Sequence, residues 1–101
     1  NLSSYASAKA ALVQLTKSMA LELARSNIRV NALAPGYILT EINQDFFNTD
    51  EGKSYIGKIP MKRLGLESEL DGALLLLASN ASSFMTGSVI TIDGGHVVNP
   101  L

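Results

Sequence analysis

The chain has 101 residues, 47% hydrophobic and 17% charged, with a net charge of −1 and no cysteine. This is a globular composition sufficient for one small domain, and it excludes a disordered segment, a disulfide framework and a thiolate metal site. The charge balance leaves no footprint for nucleic acid or an anionic membrane surface, and the longest apolar run, residues 73–78, is far too short to span a bilayer.

The chain begins abruptly at a helix cap with no signal peptide, which suggests a fragment, and the lack of cysteine is compatible with a reducing, cytoplasmic setting. Ser3 or Ser4 can cap a first helix, which good helix formers carry to about Arg25. Ser26-Asn27 then ends it, because Asn tolerates the left-handed conformation of a helix C-cap. Projected at helical periodicity, Tyr5, Lys9, Leu12, Thr16, Met19 and Leu23 share one stripe, with Gln14, Lys17, Ser18 and Arg25 opposite. Lys9 is therefore expected in line with the buried side, and close to a helix N-terminus that disfavours a cation. Both features cost stability and call for an explanation.

Residues 28–34 read as a short, largely buried strand that Pro35-Gly36 stops. In isolation Pro35-Gly36 is simply a turn. Residues 37–62 are aromatic-rich and irregular, with Gly52 and Gly57 interrupting any helix; two short helical pieces are expected, at 41–47 and 50–58. Such a long connection is either a lid over a pocket or a surface packed on a partner. A second long helix is expected over 67–79, with Glu67, Glu69 and Asp71 complementing its dipole and the all-apolar stretch 74–78 deeply covered. A loop over 80–87 leads into a β-branched strand, 88–93, ended by Gly94-Gly95. Helix, strand, lid, helix, strand is the C-terminal part of an open α/β sheet with parallel strands.

The spacing of Tyr5 and Lys9 puts them on one helix face, with Cβ atoms roughly 5–6 Å apart. A free tyrosine titrates too high for efficient proton transfer at neutral pH; a nearby lysine cation and a helix N-terminus both favour the phenolate. The pair suits proton transfer to or from an oxygen atom, but a buried phenol satisfied by an amine is a common packing solution with the same spacing, so the spacing alone does not establish function. His96 has no partner at motif spacing and reads as surface or edge packing, while Lys62 and Arg63 read as a solvated cluster. No glycine-rich phosphate motif and no hydrolase triad is present.

Taken in order, Tyr5-Ala6-Ser7-Ala8-Lys9, Ile28-Arg29-Val30-Asn31, Pro35-Gly36-Tyr37-Ile38-Leu39-Thr40, Arg63-Leu64-Gly65, Leu77-Ala78-Ser79, Thr86-Gly87 and Asp93-Gly94-Gly95 resemble the C-terminal part of the short-chain dehydrogenase/reductase superfamily. The resemblance implies a doubly wound Rossmann-type parallel sheet and hydride transfer between NAD or NADP and a small alcohol or carbonyl. It implies Tyr5 as catalytic acid/base. Lys9 would assist it and hold the nicotinamide ribose, which would account for a lysine on the buried stripe. Pro35, Gly36, Ile38 and Thr40 match the segment along the nicotinamide, and 37–62 holds the substrate lid. A homodimer or homotetramer is implied as well, with the first helix and last strand at interfaces and Leu21, off the apolar stripe, compatible with such pairing. The family's catalytic serine, its further catalytic asparagine and its glycine-rich loop would lie before Asn1. The 101 residues alone are therefore expected to be inactive, and a non-catalytic scaffold of the same fold is the alternative. Asp71 departs from the small apolar residue common there, at a helix start that tolerates it.

Overall fold

In the computed structural model, which describes residues 2–98, the chain forms two compact units. One comprises the residues up to Leu33 with Ala73–Ile90; the other comprises Ala34–Gly72 and the residues from Thr91 onward.

The first unit opens with α1 (Leu2–Leu23), closed by a 3-10 turn, Ala24–Ser26, and by Asn27 in the left-handed conformation at φ 58°. The Asn27 N–H donates to the Ala24 carbonyl at 3.0 Å, so the expected asparagine cap is present. The cap expected from Ser3 or Ser4 is not, because the helix already includes Leu2. The buried stripe also differs from expectation. Residues 2–15, Tyr5 and Lys9 among them, are exposed, and only Thr16 and Ala20 are buried. Burial requires an opposing surface, and the helix meets one where Gly87 lies beneath Ala20: a Cβ on Gly87 would stand 3.5 Å from the Ala20 Cβ. Thr16 satisfies its hydroxyl on the Leu12 carbonyl, 2.8 Å away.

The expected strand over 28–34 is shorter, β1 (Ala32–Pro35). Residues 29–31 are instead tied to the loop before the last strand by side chains. The Arg29 guanidinium donates to Ser82 Oγ at 2.8 Å and to the carbonyls of Leu77 at 3.1 Å, Ser79 at 3.2 Å and Met85 at 3.4 Å. Asn31 Nδ2 donates to the Met85 carbonyl, and Asn31 Oδ1 accepts the Ser88 N–H, both at 3.0 Å.

The second unit contains β2 (Ile38–Leu39), α2 (Gln44–Phe47), α3 (Asp50–Gly57) and β3 (Gly65–Leu66). The two helical pieces fall where the sequence places them. The parallel β2–β3 ladder, Ile38 opposite Gly65 and Leu39 opposite Leu66, carries too few residues to be seen in the sequence.

The second long helix begins as a 3-10 turn, Glu67–Leu70, before α4 (Asp71–Ala78). Its apolar stretch is not deeply covered: Leu74, Leu75 and Leu76 are exposed, since no described element packs over them. The last strand is β4 (Val89–Ile92), and it pairs with β1. The Ala32 N–H donates to the Ser88 carbonyl and the Gly36 N–H to the Ile92 carbonyl, each at 2.9 Å. The bonds advance together along both strands, so the pair is parallel. No helix among the described residues is long and apolar enough to cross a membrane.

Candidate active site

Tyr5 and Lys9 lie on α1, in the first unit. The Lys9 Nζ stands 5.5 Å from the centroid of the Tyr5 ring, a cation–π distance that their four-residue spacing imposes. The Tyr5 ring is 64% exposed. Neither its hydroxyl nor the Lys9 ammonium has a hydrogen-bond partner among the described residues.

Pro35, Gly36, Ile38 and Thr40 form one continuous run in the second unit. Pro35 closes β1, and Gly36 passes against Asp93 so closely that a Cβ would stand 2.7 Å from the Asp93 Cβ and 2.8 Å from its Cα. Only glycine lets the backbone through. Tyr37 then accepts the Gly65 N–H on its carbonyl at 2.9 Å, which starts the β2–β3 ladder. Beyond the ladder, Thr40 and Asn43 bond reciprocally. The Thr40 N–H donates to Asn43 Oδ1 at 2.9 Å, and the Asn43 N–H donates to Thr40 Oγ1 at 3.3 Å. Asn43 Nδ2 also donates to the Ile38 carbonyl at 2.8 Å.

Helices α2 and α3 gather on the Tyr37 ring. Phe47 of α2 meets it edge-on at 5.8 Å between centroids, Tyr55 of α3 at 6.1 Å, and His96 at 5.4 Å. His96 packs on the Tyr37 ring, with its Nδ1 buried and without a partner among the described residues.

A small cavity of about 140 Å³ in this unit is lined in part by Ile38, Arg63, Glu69 and Asp93. Arg63 and Lys62 are exposed, as expected of a solvated cluster, and Arg63 has an ion-pair partner. It grips both Glu69 carboxylate oxygens, at 2.7 and 2.9 Å, and Glu69 Oε1 also accepts the Leu66 N–H at 3.0 Å. These bonds, the Arg63 guanidinium first, hold the Glu69 carboxyl down at about 2. Asp93 accepts the N–H groups of Val97 and Gly95, each at 2.9 Å; with the Val97 bond foremost and His96 nearby, its carboxyl lies below the ordinary aspartate range.

Asn43, Glu69 and Asp93 were not singled out in the sequence as site-shaping residues. Thr40-x-x-Asn43 has the three-residue spacing of a capping box and could have been found that way. The Gly36–Asp93 approach joins positions far apart in the chain and left no local signal.

Residues 1–97 match the family model described as Enoyl-(Acyl carrier protein) reductase. A sorbose reductase of Candida albicans is 49% identical over 92 residues, covering 91% of this chain and 32% of that protein. Among solved structures, a short-chain type dehydrogenase/reductase from Mycobacterium marinum aligns with a TM-score of 0.84 at 52% identity, over 93% of this chain and 36% of that one. A gluconate 5-dehydrogenase from Burkholderia cenocepacia, solved in complex with NADP and tartrate, aligns with a TM-score of 0.85 at 39% identity, over 93% of this chain and 37% of that one. The chain spans about a third of the length of the curated relatives it matches, 32% to 38%.

Proposed function

This chain belongs to the short-chain dehydrogenase/reductase superfamily, and from that premise we propose that the intact protein is an NAD- or NADP-dependent oxidoreductase interconverting a small secondary alcohol and its ketone. The observation that carries the proposal is the Tyr5–Lys9 pair, a hydroxyl and an ammonium one helical turn apart with no partner among the described residues. The sorbose and gluconate relatives support a polyhydroxylated substrate.

The residues present fit a nicotinamide cofactor. Gly36 carries no side chain at the crowded backbone passage beside Asp93. The Thr40 hydroxyl accepts from the Asn43 N–H and keeps its own hydrogen to donate to an anionic oxygen. Pro35, Gly36 and the backbone at Ile38 would line the nicotinamide, Thr40 would hold its carboxamide and phosphate side, and Lys9 would hold the ribose. Bound nicotinamide supplies the hydride or accepts it. In the reductive direction Tyr5 gives its phenolic proton to the substrate carbonyl oxygen; in the oxidative direction the phenolate takes the proton from the alcohol. Lys9 supplies the adjacent positive charge while the phenol oxygen is anionic. The lid, α2 and α3 hung on Tyr37, covers the substrate. A homodimer or homotetramer in the cytoplasm is the setting, and the exposed apolar side chains of α1, Leu21 among them, support pairing.

The test is Tyr5→Phe in the intact protein, assayed with both nicotinamides against ketoses and polyols. Turnover should fall by a factor on the order of 10²–10⁴, the usual worth of a positioned acid/base, with cofactor still bound. The 101-residue chain assayed alongside should turn over nothing. Full turnover by Tyr5→Phe would remove the role given to Tyr5.

A further inference from the structure

We propose that Asn43 is the positioning residue of the cofactor-facing segment, clamping the backbone at Ile38 and Thr40 and joining that segment to the first lid helix. The inference rests on the reading of 35–40 as the nicotinamide-lining run and goes beyond it, because Asn43 lies outside that run.

The asparagine uses both halves of its amide. Its Oδ1 accepts the Thr40 N–H at 2.9 Å, and its Nδ2 donates to the Ile38 carbonyl at 2.8 Å. The partners fix the amide orientation, since a flip would set donor against donor and acceptor against acceptor. Its main-chain N–H meanwhile donates to Thr40 Oγ1 at 3.3 Å, which settles where the hydroxyl oxygen points. One residue thus constrains a carbonyl, an amide and a hydroxyl within a stretch of three residues. Gln44 follows directly as the first residue of α2, so the lid helix starts from the clamp. A site that binds a cofactor needs its supporting groups held to about half an ångström, and directional bonds from a neighbouring residue supply that constraint.

Residue types narrow the role further. Asp at this position keeps an acceptor for the Thr40 N–H but turns a carboxylate oxygen on the Ile38 carbonyl. Ala removes both bonds. Neither change touches the proton-transfer pair on α1.

The experiment measures steady-state kinetics of the intact protein, with the nicotinamide that supports turnover, for wild type, Asn43→Ala and Asn43→Asp, alongside melting temperatures without cofactor. Asn43→Ala should raise the cofactor KM about tenfold, as expected for a lost pair of modest net hydrogen bonds, and leave the KM of the carbonyl substrate within about twofold. Asn43→Asp should raise it about tenfold as well, because it sets an anionic oxygen against the Ile38 carbonyl, and it carries the test if the alanine variant does not fold. A loss confined to melting temperature or to the active fraction, with cofactor KM unchanged in every variant that folds, would overturn the assignment and leave Asn43 a structural cap. Wild type that binds neither NAD nor NADP would overturn the underlying reading, and this inference with it. Wild type that binds and turns over, with Asn43 variants matching its cofactor KM, overturns this inference alone.

Discussion

Gly52→Ala and Gly57→Ala add the same methyl group to the same helix, α3, and should move stability in opposite directions. A Cβ at Gly52 would fall onto the carbonyl of Phe46 and 2.5 Å from the Phe47 Cα. Both are backbone atoms, so no rotamer change relieves the overlap and α3 has to back away from α2. Overpacking of this kind costs about 1–3 kcal/mol. The same displacement strains the helix N-cap, the 3.1 Å bond from the Gly52 N–H to Thr49 Oγ1, whose loss costs about 1 kcal/mol. Against both stands the helix propensity of Ala over Gly, about 1 kcal/mol. The sum is a loss of about 1–3 kcal/mol. At Gly57 nothing lies within 4 Å of the added Cβ. Only propensity and the stiffer unfolded chain remain, a gain of about 0.4–1 kcal/mol. Urea unfolding followed by far-UV circular dichroism gives the two free energies, and hydrogen exchange at the α3 amides isolates that helix from the rest. Two variants that shift in the same direction would refute the packing argument, because propensity alone treats the two glycines alike.

Arg29→Met should cost about 1–3 kcal/mol, since it strands the Leu77 carbonyl and removes the donor to the hydroxyl of Ser82, which is 1% exposed and keeps its own bond to the Ser79 carbonyl. Thermal unfolding checks this, and Arg29→Lys should recover less than half, because a compact ammonium cannot span the same fork of acceptors. Acid should loosen the second unit: Glu69 has its carboxyl lowered from 4.5 to about 2, so its contribution is full above the unfolded value and disappears as pH falls from 4.5 toward 2. Asp93, also lowered, acts in the same sense. Glu69→Gln should flatten the dependence of urea midpoint on pH in that window, and an unchanged slope would disprove the assignment.

Long, strongly periodic elements were legible in the sequence and short-range polar closures were not. The run of helix formers marks α1, and Asn27 its left-handed end, because both depend on local propensity. Residues 28–31 look like strand because Ile28 and Val30 are β-branched, yet Arg29 and Asn31 spend their side chains on carbonyls some fifty positions away, the Arg29–Leu77 bond spanning 48 and the Asn31–Met85 bond 54. The periodicity of α1 correctly put Thr16 on the inward face, but it gave the stripe the same weight at both ends. Of the stripe only Thr16 is buried, and the other buried residue of the helix is Ala20, which meets Gly87 and lies off the stripe. The leucines of α4 failed for a related reason. An apolar sequence states a demand for cover, whereas burial also needs an opposing layer within the chain. Among the candidate functional residues, Tyr5–Lys9 and the Pro35–Thr40 run were visible as motifs, while Asn43 was visible only as a spacing whose partners the fold had to supply.

The chain holds its irregular segments more by polar clamps than by a core. Among the described residues the buried hydrophobic side chains are Ala20, Phe47 and Ile59, while Arg29, Asn31, Asn43, Glu69 and Asp93 each close a stretch of backbone with side-chain bonds. Hydrophobic contact is non-directional and tolerates sliding, whereas a hydrogen bond weakens steeply with angle. A segment that must present a carbonyl, an amide and a hydroxyl in fixed directions is therefore better held by the second kind of contact, and residues 35–43 are held that way. Tyr5 and Lys9 have no such clamps. Helical spacing fixes which face they share and brings the ammonium to 5.5 Å from the ring, but it leaves the rotamers of both to solvent. The Tyr5–Lys9 pair and the Pro35–Thr40 run therefore differ in kind. The run is held by its own hydrogen bonds, whereas in the proposed reaction the pair would take its final geometry from the substrate oxygen and the ribose hydroxyls.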